Sequence, residues 1–159
     1  MDELLRLLKE NALQSPEDLA RQLNTCESDV KQRIAEYEAK GIIRGYQAIV
    51  NEDQLDLERV RAVIEVRITP EREGGFDHVA RRIARFPEVE TLYLMSGGYD
   101  LLVFVRGRSL KEVAFFVSDR LATIQGVIST ATHFTLKTYK DQAVMMEPEA
   151  ATEKLQVSP

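Results

Sequence analysis

The hydrophobic period of this 159-residue chain first changes at Gly41, and no other feature constrains its fold as strongly. Before Gly41, apolar residues recur every three or four positions. Beyond it they recur at every second position, interrupted by two helical stretches. A helix buries a stripe and a strand buries a face, so one element cannot satisfy both patterns. The chain therefore reads as a small helical unit followed by a larger mixed unit.

In the first unit, Leu4, Leu5, Leu7 and Leu8 predict one helix, and Leu19, Ala20 and Leu23 a second. Ser15-Pro16-Glu17-Asp18 opens the second helix: serine caps it, proline fits its first position and the acids suit its positive end. A third helix starts near Cys26 to Ser28, with Val30, Ile34 and Tyr37 on its inner face, and Gly41 supplies the left-handed residue that ends it. So short a link between helices two and three predicts a helix-turn-helix. Ile42 to Val50 is expected to form a short ribbon, a wing, and Asn51 to Arg59 a polar linker.

The second unit alternates from Val60 to Thr69, with Ala62, Ile64, Val66 and Ile68 on one side. Next come a helix carrying Phe76, Val79, Ala80, Ile83 and Phe86, a strand over Val89 to Met95, the turn Ser96-Gly97-Gly98-Tyr99, and an apolar strand over Leu101 to Arg106. Ser109 and Glu112 form a capping box for a helix bearing Leu110, Val113, Val117, Leu121 and Ile124, and Val127 to Lys137 is the last strand. The fold class is α+β: an N-terminal winged helix-turn-helix plus a C-terminal ferredoxin-like βαββαβ domain, with both helices on one face of an antiparallel sheet. Alternation puts Val63, Val103 and Val105 on the uncovered face in one possible register, and a second subunit is expected to cover it. The domains are residues 1–50, a hinge at 51–59, residues 60–142, and a flexible tail at 143–159.

Composition narrows the function classes. One cysteine, Cys26, and two histidines, His78 and His133, offer neither a disulfide nor a metal-ligand set, so no metal or cofactor is expected. No apolar run is long enough to span a membrane and no secretory leader is evident, so a soluble, cytoplasmic protein is expected. The net charge is −5, the wrong sign for unspecific attraction to a polyanion. Residues 1–50 hold seven basic and nine acidic groups, so the deficit reaches the unit that would read DNA.

Val30-x-x-Arg33-Ile34, Glu38-x-x-Gly41-x-Ile43-x-Gly45-Tyr46, Gly98-Tyr99-Asp100 and Gly126-Val127 before a Thr-rich strand, in that order, resemble the Lrp/AsnC family of bacterial and archaeal feast/famine transcriptional regulators. The resemblance covers residues 2 to 142. It implies a winged helix-turn-helix that binds double-stranded DNA, a regulatory domain that dimerises through its sheet, assembly of dimers up to octamers, and an amino-acid effector held between dimers.

On the third helix Ser28, Lys31 and Gln32 face outward, where Gln32 suits adenine, Lys31 guanine or phosphate, and Ser28 either. Arg33, at the position where the family keeps arginine, and Arg44 in the wing are the phosphate candidates, with Arg21 weaker. Glu27 and Asp29 oppose them, and the same residues also read as an ordinary solvated helix face. Cys26 stands where the family places a serine cap, a role Thr25 or Ser28 can fill.

An amino-acid effector needs backbone N–H donors beside an anionic acceptor. Gly97 and Gly98 offer the donors, Asp100 the acceptor and Tyr99 a wall; the resemblance adds Met95, Ser96, Thr130 and Thr132. Gly-Gly is equally a plain hairpin connector. Two other functions stay open: an enzyme like the sirohaem decarboxylases, which share the two-domain build, and a ligand sensor that has lost DNA binding.

Overall fold

The computed structural model describes residues 1–55, 57–70 and 75–147, in two compact units that divide after Ile49. The first unit packs α1 (Glu3–Glu10), α2 (Pro16–Leu23) and α3 (Glu27–Ala39). Leu4, Leu7, Leu8, Leu19, Ala20 and Val30 form its core, with Leu23, Ile34, Tyr37 and Ile43 against it. Ser15 caps α2 as expected, its Oγ accepting from the Asp18 N–H at 3.0 Å. Asn24, left-handed at φ 52°, turns the chain from α2 towards α3. Gly41, at φ +68°, ends α3, where the Ile42 N–H donates to the Tyr37 carbonyl at 2.8 Å.

Residues 42–50 form no paired strand among the described residues, in contrast to the expected ribbon. A two-stranded ribbon needs a second alternating segment and an apolar face to bury. The residues that follow are acidic, and Ile42, Tyr46, Ile49 and Val50 all lie exposed. Beyond Ile43, Tyr46 is fastened by donating its hydroxyl to the Glu38 carboxylate at 3.0 Å.

The second unit holds β1 (Val60–Ile68), α4 (Asp77–Ile83), β2 (Val89–Leu94), β3 (Leu101–Gly107), α5 (Leu110–Phe115) and β4 (Val127–Phe134). The strands form one antiparallel sheet in the order β2-β3-β1-β4, the ferredoxin-like arrangement. Between helices and sheet lie Ile64, Val66, Ile83, Leu101, Val103 and Leu121, fully buried. The expected second helix is α-helical only to Phe115 and continues as a π-helical turn over Phe116–Leu121. That extra residue per turn buries Phe116 and Leu121, while Leu110, expected inside, stays exposed.

Register corrects the uncovered face. Ala62 pairs with Val105 and Ile64 with Val103, and paired residues share a face, so Val103 and Val105 belong to the helix-covered core at 0% and 1% exposure. The open face instead carries Val63, Leu102, Phe104 and Tyr93, with the Tyr93 and Phe104 rings edge to face at 6.1 Å.

Residues 140–145, half of them expected in the tail, form a hairpin of β5 (Lys140–Asp141) and β6 (Val144–Met145). Met146 is buried, and Asn51 donates its side-chain amide to the Met146 carbonyl. The rest of the expected tail, from 148 on, lies outside the described residues.

Candidate functional site

The exposed surface of α3 is the first candidate. Ser28, Lys31 and Gln32 point outward, as the spacing predicts. Cys26 occupies the cap position without bonding a backbone N–H. Neither proposed substitute does so: the Thr25 hydroxyl donates to Asp29 Oδ2 at 3.1 Å, and Ser28 Oγ lies 3.1 Å from Cys26 Sγ. The Ser28 hydroxyl holds the exposed Cys26 thiol below its ordinary pKa. The Asp29 N–H donates to the Cys26 carbonyl at 3.1 Å, and the Glu27 and Ser28 N–H groups ahead of it have no capping side chain among the described residues, so a phosphate oxygen can accept from them.

The cations of α3 are not free. Lys31 Nζ sits 2.6 Å from Glu27 Oε1, Gln32 donates to Glu36 Oε1 at 3.2 Å, and Lys40 reaches Glu36 at 3.4 Å. Arg33, expected to bind phosphate, turns inward instead. Its Nη2 donates to both Asp2 oxygens at 2.8 and 2.9 Å, and Nη1 lies 3.5 Å from Asp29. The Tyr37 hydroxyl donates to the same Asp2 carboxylate. The result is a clasp from the start of α1 to the middle of α3. Tyr37 and then Arg33, as hydrogen-bond donors, hold the Asp2 carboxyl below its ordinary range. Arg44 has no ion pair or hydrogen bond among the described residues, and it lies over Gly41, where an added Cβ would meet its Nη1 at 3.2 Å. Arg21 is held by Glu17 and Asp18.

The second candidate is the turn between β2 and β3. Gly97 adopts φ +138°, a conformation that side chains disfavour, and around both Gly97 and Gly98 the space is open to a ligand. Met95, Ser96 and Tyr99 complete the turn. Asp100 has structural work: the Ile68 N–H donates to its Oδ2 at 2.8 Å and its own N–H to the Val66 carbonyl at 3.0 Å. Only its Oδ1 has no partner among the described residues. Thr130 and Thr132 pair with Val66 and Ile64, so both lie on the helix side of edge strand β4. Val66 also pairs with Leu101, which puts Thr130 and the turn at one end of the sheet on opposite flanks of β1. Two strand spacings, about 10 Å, separate them. One chain alone does not bring the two halves together.

His133 stands on the open sheet face with Nε2 3.4 Å from Glu65 Oε1. No group of three or more His, Cys, Asp or Glu is placed to hold a metal among the described residues, and none of their helices is long and apolar enough to cross a membrane.

A third concavity escaped the sequence reading. It lies between the linker, the residues after β4 and the β5–β6 hairpin, and encloses about 290 Å³. Its sequence signal was Glu52-Asp53 and Arg59 inside the expected hinge, with Arg61 just beyond it.

Comparison with known proteins places these features. The Lrp/AsnC ligand binding domain family matches residues 61–145. An uncharacterized HTH-type transcriptional regulator of Bacillus subtilis, YugG, is 44% identical over 99% of this chain and 95% of its own. The HTH-type transcriptional regulator LysM of Saccharolobus solfataricus is 32% identical over 86% of this chain and 91% of its own. Among solved structures, a Neisseria meningitidis transcriptional regulator in complex with L-Met superposes with a TM-score of 0.69 at 25% identity, covering 89% of this chain and 93% of that one. With a matching domain over more than half its length and a relative this similar over nearly all of it, the chain belongs to the Lrp/AsnC family.

Proposed function

We propose that the protein is a sequence-specific DNA-binding transcriptional regulator modulated by a small effector, an amino acid held between dimers. The observation that carries the reading is the α2-turn-α3 unit with an exposed outer face, in a chain 44% identical to an HTH-type regulator. Ser28, Lys31 and Gln32 address the bases, and Arg44 and the open N-terminal amides of α3 address phosphate. Arg33 acts behind them by fixing α3. The L-Met complex of the Neisseria relative supports an amino acid as the effector class.

The uncovered face of Val63, Leu102, Phe104 and Tyr93 supports a dimer, and dimers of dimers up to octamers place the β2–β3 turn of one chain near Thr130 and Thr132 of another. Effector binding then changes the spacing of the helix-turn-helix units and hence their match to the operator. The site of action is the cytoplasm, and the role is regulation rather than catalysis.

A gel-shift titration with DNA upstream of the protein's own gene tests this, with competitor DNA and with each of the twenty amino acids added. Wild type shifts the fragment, Lys31→Ala and Arg44→Ala weaken the shift, and one amino acid alters it. Equal binding by wild type and both variants would remove the assignment of this face.

A further inference from the structure

We infer that the linker end of the helix layer in the second unit, carrying Arg82 and Arg85 after α4 and Lys111 on α5, is a second contact surface for the DNA backbone. The inference rests on the DNA-binding reading above and adds phosphate contacts outside the helix-turn-helix.

The charge of the chain is unevenly spread. Residues 77–88 and 108–121, which hold both helices, carry six basic groups against four acidic ones, in a chain of net charge −5. All four acids are engaged. Asp77 lies 3.3 Å from Arg81, Glu88 pairs with Arg120, Glu112 with Arg108 at 3.5 Å, and Asp119 accepts from the Ser118 hydroxyl at 2.7 Å. Arg82, Arg85 and Lys111 are left exposed and without an ion pair among the described residues. Lys111 Nζ rests 5.7 Å from the Phe115 ring, a contact that leaves its charge unneutralised.

Register gathers the three at one end of the sheet. Val60 opens β1 and pairs with Gly107, four residues before Lys111. Val89, four residues after Arg85, pairs with Val105 on the same strand as Gly107. The Arg85 N–H donates to the Arg82 carbonyl at 3.3 Å, so both guanidiniums leave from one turn. Phe86 meets Phe116 edge to face at 5.4 Å, which ties that turn to the other helix. The helix dipole accounts for cations at the end of α4. It does not account for Lys111, which stands in the first turn of α5, where the dipole disfavours a cation.

A guanidinium fork fits a phosphate through two parallel hydrogen bonds. Each of these cations can take a phosphate without releasing an acid, unlike Lys31, whose capture frees Glu27. The linker enters the second unit at this end, immediately before Val60, so DNA held by the first unit is tethered here and its effective concentration is raised. That tether favours DNA over an acidic polypeptide as the occupant.

The test is the salt dependence of DNA affinity of the full-length protein, on the upstream fragment and on unrelated DNA of equal length. Arg82→Gln combined with Arg85→Gln should lower the log–log salt slope by about 2 for each subunit docked, at about 0.9 per lost phosphate contact. Both DNAs should weaken by the same factor, leaving sequence preference unchanged. Lys111→Gln should lower the slope by about 1. Arg82→Lys with Arg85→Lys keeps the charges and should keep the slope, which separates loss of charge from any change of fold or assembly.

An unchanged slope in the double glutamine variant overturns the inference, and the helix-turn-helix reading stands if Lys31→Ala still weakens the shift. A double variant that keeps its DNA slope but loses binding to poly-glutamate gives the face to an acidic protein and overturns it equally. If wild type binds neither DNA at low salt, both readings fall.

Discussion

Removing Asp2 tests whether Arg33 is a structural clasp or a DNA contact. At 2.8 Å the attraction between the Asp2 and Arg33 charges spans about 1.5 kcal/mol in bulk water to about 6 kcal/mol at an effective dielectric near 20. Both side chains are about one-third exposed, at 31% and 32%, so the lower part of that range applies. Ordering two side chains and partly desolvating them removes some of it, and the Tyr37 hydroxyl adds one hydrogen bond to a charged acceptor. Asp2→Ala should therefore cost about 1–2 kcal/mol, visible as a fall of about 4–8 °C per kcal/mol in the unfolding transition of so small a domain.

The assay is a double-mutant cycle of Asp2→Ala and Arg33→Ala by denaturant unfolding, with DNA affinity measured alongside. Loss of the Asp2 carboxylate should leave the DNA salt dependence unchanged, since no phosphate contact is lost. Additive effects within about 0.5 kcal/mol would refute the clasp.

The pH dependence has a defined sign. Asp2 titrates below its ordinary value of 3.8 in the folded protein, so its contribution is complete above that value and fades as pH falls through the lowered one. The Asp2 carboxylate also raises Tyr37 above its ordinary 10.0. The tyrosine contribution is therefore complete below pH 10 and fades as pH rises beyond it.

Gly126→Ala should destabilise the second unit by about 1–3 kcal/mol, because Gly126 sits at φ +96° and a Cβ there would meet Val79 Cγ2 at 3.1 Å; thermal unfolding checks it. Phe104→Glu puts a charge in the centre of the open sheet face, where Phe104 packs on Tyr93. It should convert the proposed dimer to monomer in sedimentation analysis without unfolding it, and an unchanged mass would argue against that face. Glu27→Gln releases Lys31 from its 2.6 Å partner and removes an acid from the α3 N-terminus. It should tighten DNA binding at low salt and steepen the salt dependence by up to about one unit.

Where periodicity and capping agreed, the sequence was legible. Ser15, Asn24 and Gly41 each impose one backbone solution, and β1 alternates so regularly that its buried face, Ala62, Ile64, Val66 and Ile68, follows. The misses have physical causes. Near-continuous apolar runs such as Leu101 to Val105 do not say which face is which, so Val103 and Val105 went to the wrong one. The β5–β6 turn is made by Gln142 and Ala143 at φ 43° and 70°, residues that give no turn signal because side chains disfavour that region. The wing failed because a strand pattern needs a partner strand, which periodicity cannot supply. At the site, outward-facing positions on α3 followed from helical spacing alone, whereas the inward turn of Arg33 depended on Asp2, 31 residues away.

That long-range pair changes what the net charge of −5 means. Of the seven basic residues in the first fifty, Arg6, Arg21, Lys31, Arg33 and Lys40 each hold an acid of their own unit, leaving Lys9 and Arg44 without an ion pair among the described residues. Exposed pairs of this kind are worth about 0–1 kcal/mol, so a phosphate can capture Lys31 at little cost. Glu27, once released, then repels the same phosphate. Each captured cation exposes an acid, so the favourable charge count of one monomer stays small however many lysines and arginines its surface shows. The proposed function then draws its affinity from positions where capture exposes nothing, namely Arg44 and the uncapped amides of α3, multiplied by the number of subunits docked at once. On the proposed reading an acidic regulator built this way binds DNA as an assembly, and whatever alters the spacing of its subunits controls its affinity.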